Sequence, residues 1–180
     1  DLSNLPYFFS YEFSDDESKI LLATQLDRIY RRSTLGTYYV YDTKTQTATL
    51  LSDVKVQEPT FSPDGTKVAY GFENNLYIKD LSTGKVMQIT VDGEENKIIN
   101  GITDWVYEEE FAFVRAFDWN KAGNKIAFIR FDETEVPEFS MDVYGKDLYP
   151  TEDTFKYPKA GEKNAEVSLF VYDLNSELTT

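Results

Sequence analysis

The chain has 180 residues, 41% of them hydrophobic and 16% aromatic, which suits one domain with a sizeable core, or part of a larger β-rich one, and excludes a disordered segment. With 18 basic against 32 acidic residues the formal net charge is -14, so phosphate backbones and anionic membranes are repelled, nucleic acid is not an expected partner, and cationic groups such as a peptide ammonium fit better. There is no cysteine and no histidine, which excludes disulfides, thiolate zinc sites, cysteine nucleophiles and a Ser-His-Asp triad within these residues.

No run approaches the ~18 apolar residues of a membrane span, and Asp1-Leu2-Ser3-Asn4 lacks the basic-then-apolar layout of a signal peptide. The aspartates show no metal-ligand spacing, and neither a metal nor a cofactor is expected.

In chain order, one phrase occurs three times. It reads Phe13-Ser14-Asp15-Asp16-Glu17-Ser18-Lys19-Ile20-Leu21, then Phe61-Ser62-Pro63-Asp64-Gly65-Thr66-Lys67-Val68-Ala69, then Trp119-Asn120-Lys121-Ala122-Gly123-Asn124-Lys125-Ile126-Ala127. Each copy is an aromatic, a polar turn, a lysine and an apolar strand start. Pro63 presets its φ, and Gly65 and Gly123 can take positive φ, so each phrase predicts a hairpin. A second phrase follows each copy: Tyr39-Val40-Tyr41-Asp42, Tyr77-Ile78-Lys79-Asp80 and Phe170-Val171-Tyr172-Asp173, each a strand before a polar turn.

The spacing fits the ~40 to 50-residue, four-stranded repeats of a β-propeller once an insertion is allowed in the third copy. The expected fold class is all-β, part of a β-propeller with about three antiparallel blades over 7–52, 53–100 and 116–180. Three repeats make an arc rather than a ring, so further blades are expected outside these residues. Two insertions interrupt the pattern: an acidic, short helical one at 101–111 and an arm at 134–165 that contains Pro137, Pro150 and Pro158. Loops added to a rigid scaffold are where binding chemistry concentrates.

The first insertion carries Glu108-Glu109-Glu110 beside Trp105 and Tyr107. Three adjacent carboxylates repel one another, and a cationic guest relieves that repulsion. An α-ammonium offers three donors and one charge, which two convergent carboxylates can satisfy. The plainer alternative is a solvated face of a short helix.

Asp104-Trp105-Val106-Tyr107-Glu108-Glu109-Glu110, preceded by Gly101-Ile102-Thr103 and followed by Thr134-Glu135-Val136-Pro137 and Tyr157-Pro158-Lys159-Ala160-Gly161, resembles the propeller of the dipeptidyl peptidase IV family in order and spacing. The resemblance covers about residues 7–173. It implies an eight-bladed propeller capping an α/β-hydrolase domain, with two glutamates of a short helix holding the protonated N-terminus of a peptide. By position these are Glu109 and Glu110, while Glu108 is left structural or solvent-facing.

The resemblance also implies an arginine that hydrogen-bonds the carbonyl of the substrate's first residue. Alignment through Tyr41-Asp42 puts this role on Arg31, with Arg32 one residue on and simple offset of an acidic surface as the alternatives. The arm resembles the family's dimer-contact arm, which implies a homodimer; a flexible loop is the alternative.

The implied function is release of N-terminal Xaa-Pro or Xaa-Ala dipeptides by a hydrolase domain of the same full-length chain. These residues hold no Gly-x-Ser-x-Gly elbow and no histidine, so no catalytic residue is expected among them and they should be inactive alone. A non-catalytic propeller that binds peptides or proteins is the alternative function. The missing cysteines point to a bacterial member, expected in the periplasm, at the cell surface or secreted.

Overall fold

The repeated phrases fold as tight reversals because their polar side chains replace the hydrogen bonds that a turning backbone loses. The computed structural model describes residues 5–180; Asp1-Leu2-Ser3-Asn4 lie outside the described residues. In the first copy the Asp16 carboxylate accepts from the Ser14 hydroxyl at 2.8 Å and the Ser18 N–H at 3.0 Å. In the second Asp64 accepts from Ser62 at 2.6 Å and the Thr66 N–H at 3.0 Å. In the third the Asn120 side-chain oxygen accepts from the N–H groups of Asn124 and Lys125. Gly65 and Gly123 take the left-handed conformation here, and Glu17 adopts it at the equivalent place in the first copy.

Each reversal opens a four-stranded antiparallel path. The first sheet runs β1 (Phe8–Phe13), β2 (Lys19–Arg28), β3 (Thr34–Asp42) and β4 (Thr47–Leu50), in that order. The second runs β5 (Gln57–Phe61), β6 (Lys67–Phe72), β7 (Asn75–Asp80) and β8 (Val86–Gln88).

The third sheet differs because its first strand is split. β9 (Ile98–Asn100) and β10 (Phe117–Trp119) both pair with β11 (Lys125–Asp132), whose other side carries β14 (Glu166–Asp173) and then β15 (Leu178–Thr179). Between the two half-strands the chain leaves at Gly101 and returns at Ala116. The Ala116 N–H donates to the Gly101 carbonyl at 2.8 Å, and Ile129 of β11 accepts from the Gly101 N–H and donates to the Ala116 carbonyl. A helix, α1 (Trp105–Phe111), is carried at the end of this excursion. Gly101 has a φ of 74°, and a Cβ there would meet the buried Leu76 side chain at 2.5 Å, so the exit point needs glycine twice over.

The sheets pack face to face. Leu21, Val40, Leu51, Val56, Phe61, Val68 and Tyr70 fill the space between the first and second. Ala69, Leu76, Ile78, Ile102, Val114, Phe117, Ile126 and Phe128 fill that between the second and third. The outer faces of the end sheets are left open, with Phe9 62%, Tyr11 64% and Leu169 70% exposed. All-β blades in an arc, with a short acidic helix and an arm, are the predicted architecture.

The arm is a two-stranded ribbon, β12 (Glu138–Val143) paired with β13 (Thr151–Lys156) in register from Glu138–Lys156 to Val143–Thr151. Pro137, Pro150 and Pro158 flank these strands, as expected for a residue with no N–H to donate. Its tip exposes Tyr144, Leu148 and Tyr149.

Candidate functional site

α1 begins at a conventional cap. Asp104 has extended backbone, and its carboxylate accepts the Tyr107 N–H at 2.9 Å; Ala112 ends the helix in the left-handed conformation with a φ of 59°. Seven residues are too few for a helix to persist on propensity, so tertiary contacts fix it. Tyr107 supplies one, meeting the fully buried Phe131 ring edge-on at 4.9 Å.

Glu108 supplies the second. It is fully buried, and its Oε1 accepts the backbone N–H groups of Arg32 at 2.5 Å and Ser33 at 3.0 Å, while the Arg32 guanidinium donates back to the Glu108 carbonyl at 2.9 Å. Oε2 of the same carboxylate has no hydrogen-bond partner among the described residues. These bonds lash the helix to the β2–β3 connection of the first sheet. That connection is itself closed by Ile29 donating to the Ser33 carbonyl and Tyr30 donating to the Ser33 hydroxyl. A bulge between Thr24 and Asp27, where Gln25 has a φ of 48°, bends β2 just before it.

With the two segments tied, Arg31 Nε lies 3.3 Å from Glu109 Oε2, the carboxylate mostly shielded and the guanidinium 70% exposed. Glu110, the next residue, is exposed, and its side chain makes no hydrogen bond or ion pair with a described residue. The three glutamates therefore do different things: Glu108 faces inward as a tether, Glu109 meets Arg31, and Glu110 projects to solvent. Arg32 is committed to the Glu108 carbonyl, which leaves Arg31 as the arginine of the pair whose guanidinium faces the glutamates from the outside.

Carboxylates crowd the ground behind this pair. Asp104 and Glu133 are buried, and burial first, then the neighbouring Asp104 charge, pushes the Glu133 carboxyl up to about 7. Burial likewise raises the Asp104 carboxyl. The Tyr30 hydroxyl is raised to about 12 by burial, then by the charges of Glu133, Asp153, Glu108 and Asp104. A cavity of about 900 Å³ opens here, bounded by Tyr30, Ser33, Asp104, Trp105, Glu133 and Phe155. It lies on the arm side of the helix, and neither Glu109 nor Glu110 lines it. Sequence reasoning passed over Tyr30, Glu133 and Phe155, which carry no motif of their own.

Comparison with known proteins agrees with this architecture. Residues 14–180 match the model of the dipeptidyl peptidase IV (DPP IV) N-terminal region. The chain is 38% identical over 177 residues to a probable dipeptidyl-aminopeptidase B of Chaetomium globosum, covering 89% of this chain and 19% of that protein. It is 36% identical over 167 residues to the human prolyl endopeptidase FAP, covering 91% and 22%. The crystal structure of Porphyromonas gingivalis dipeptidyl peptidase 4 superposes with a TM-score of 0.93 at 42% identity, covering 99% of this chain and 26% of that one. The chain thus spans about a fifth of the length of the curated relatives it matches. On the family match, the sheet order and the superposition together, the chain belongs to the dipeptidyl peptidase IV N-terminal region family.

Proposed function

We propose that this chain is the substrate-gating part of a dipeptidyl peptidase IV-like serine peptidase, with Glu109 and Glu110 receiving the protonated N-terminus of a peptide and Arg31 the carbonyl of its first residue. The observation that carries the reading is the Arg31–Glu109 contact beside a Glu110 that is exposed and unpaired among the described residues, at the end of a helix anchored through Glu108.

The chemistry follows from charge and geometry. Two carboxylates accept two of the three ammonium protons and neutralise its charge, so a blocked N-terminus loses both contacts. The Arg31 guanidinium, half engaged by Glu109, keeps donors free for a carbonyl oxygen. A clamp at fixed distance from a nucleophile measures chain length; in this reading a hydrolase domain elsewhere in the full-length protein supplies serine, aspartate and histidine and releases Xaa-Pro or Xaa-Ala dipeptides. A homodimer through the arm, and a periplasmic, cell-surface or secreted location, complete the proposal. The exposed aromatic and aliphatic side chains of the arm tip support the first of these.

The test is kcat/KM of the full-length protein on a Gly-Pro chromogenic amide, wild type against Glu109→Gln. Losing one partner of a shielded charge contact should cost roughly 30-fold to several thousand-fold in rate. An unchanged variant makes the glutamates a surface feature, and an inert wild type turns the propeller into a binding module.

A further inference from the structure

One ring touches both halves of the clamp. Phe155, on strand β13 of the arm, lies 6.2 Å from the ring of Tyr30, the residue before Arg31, and 5.9 Å from the ring of Trp105, the first residue of α1. Tyr157 packs on Trp105 at 4.7 Å, and Phe139 of β12 closes the cluster at 6.1 Å from Phe155 and 5.5 Å from Tyr157. Four of the five contacts are tilted and one, Phe139 with Phe155, is edge-on, with all centroids within the range of aromatic pairs.

The Arg31-bearing loop and the glutamate-bearing helix come from different sheets, and neither is regular enough to hold its own position. Below them Glu108 ties loop to helix by hydrogen bonds. On the arm side Tyr30 and Trp105 meet through Phe155 rather than through each other. A two-stranded ribbon is marginal by itself, so the root of the arm is ordered by the same contacts through which it braces the clamp.

We propose that Phe155 is a positioning residue for the clamp: it touches no substrate, and it sets the separation of Arg31 from Glu109 and Glu110 through Tyr30 and Trp105. The inference rests on the reading of those three residues as the substrate clamp. It makes the arm part of the substrate site as well as a surface for a second copy.

The experiment measures kcat and KM of the full-length protein on a Gly-Pro chromogenic amide for Phe155→Ala, Phe155→Tyr, Glu109→Gln and the double variant Phe155→Ala/Glu109→Gln. A small misplacement of a binding group can cost up to about 100-fold, so Phe155→Ala should lose about 10- to 100-fold in kcat/KM, chiefly through KM. Phe155→Tyr, which keeps the ring, should restore activity. Because Phe155 acts through the clamp, the double variant should be no worse than Glu109→Gln alone. Should the alanine variant not fold, Phe155→Leu keeps apolar bulk without the ring and is expected to show the same pattern. Losses that multiply in the double variant, or a fully active Phe155→Ala, overturn the proposal. A Glu109→Gln variant as active as wild type overturns the clamp reading itself, and is told apart because that variant is measured alone.

Discussion

Arg31 Nε stands 3.3 Å from Glu109 Oε2 across two elements that share no sheet, with the arginine largely in water. An ion pair so exposed contributes little to folding, on the order of 1 kcal/mol or less. On the proposed reading its value lies in aiming two groups at a ligand. Arg31→Ala should therefore leave the melting temperature almost unchanged, while kcat/KM on a Gly-Pro amide falls about 10- to 100-fold, the range of a charged hydrogen bond. Thermal melts and steady-state kinetics on one preparation check this; a large fall in melting temperature would mean that the pair is structural.

Glu108 should respond to substitution in the opposite way. Oε1 satisfies the N–H groups of Arg32 and Ser33 and Oε2 satisfies none among the described residues, so an amide keeps the needed acceptor and removes a buried charge. Glu108→Gln should match or exceed the parent in stability and keep most activity. Glu108→Ala leaves the Arg32 and Ser33 N–H groups without an acceptor and should cost about 2 to 4 kcal/mol, seen in denaturant melts, with loss of activity as the loop drifts from the helix. Equal behaviour of the two variants would refute the tether.

Much of this was legible in the sequence, and the division follows the range of the interactions. The three reversals were readable because Asp16, Asp64 and Asn120 each bond to groups within five residues, so the phrase contains its own cause. The short acidic helix was read as well; its cap, Asp104 accepting from the N–H three residues on, is equally local but was not singled out. The split strand was not: β9 and β10 are three residues each, and what makes them strands is β11, further along the chain. The inward role of Glu108 depends on N–H groups 75 and 76 residues away, which no pattern of neighbours reveals.

The pH dependence of stability should carry the mark of Glu133. Its carboxyl ordinarily titrates near 4.5 and sits at about 7 in the fold, raised by burial and by Asp104 and opposed by Lys156. The folded state holds this proton more tightly than the unfolded chain, so the stabilising contribution is complete below pH 4.5 and is lost as pH rises through 7. Glu133→Gln imitates the protonated acid. The variant should melt above the parent at pH 8, by a difference worth at most about 3 kcal/mol, and close to it at pH 5. A difference that does not change with pH would disprove the assignment.

The open ends of the arc give a prediction for the 180 residues expressed by themselves. Phe9 and Tyr11 at one end and Leu169 at the other present apolar surface that a neighbouring blade would cover. The isolated chain should self-associate in light scattering and bind a hydrophobic dye. Monodisperse monomers without dye binding would show that the ends are closed in some other way.

The position of Phe155 between Tyr30 and Trp105 also sets a clock. A ribosome adding ~5 to 20 residues per second needs roughly 6 to 25 seconds to reach Phe155 after Tyr30 has been made. For a little under half of that interval the first sheet can be complete while the N–H groups of Arg32 and Ser33 still await Glu108. On the proposed reading the site is thus completed late in the nascent life of this segment, and a chain interrupted within the arm before Phe155 would carry Arg31, Glu109 and Glu110 with the Glu108 tether but without the aromatic brace.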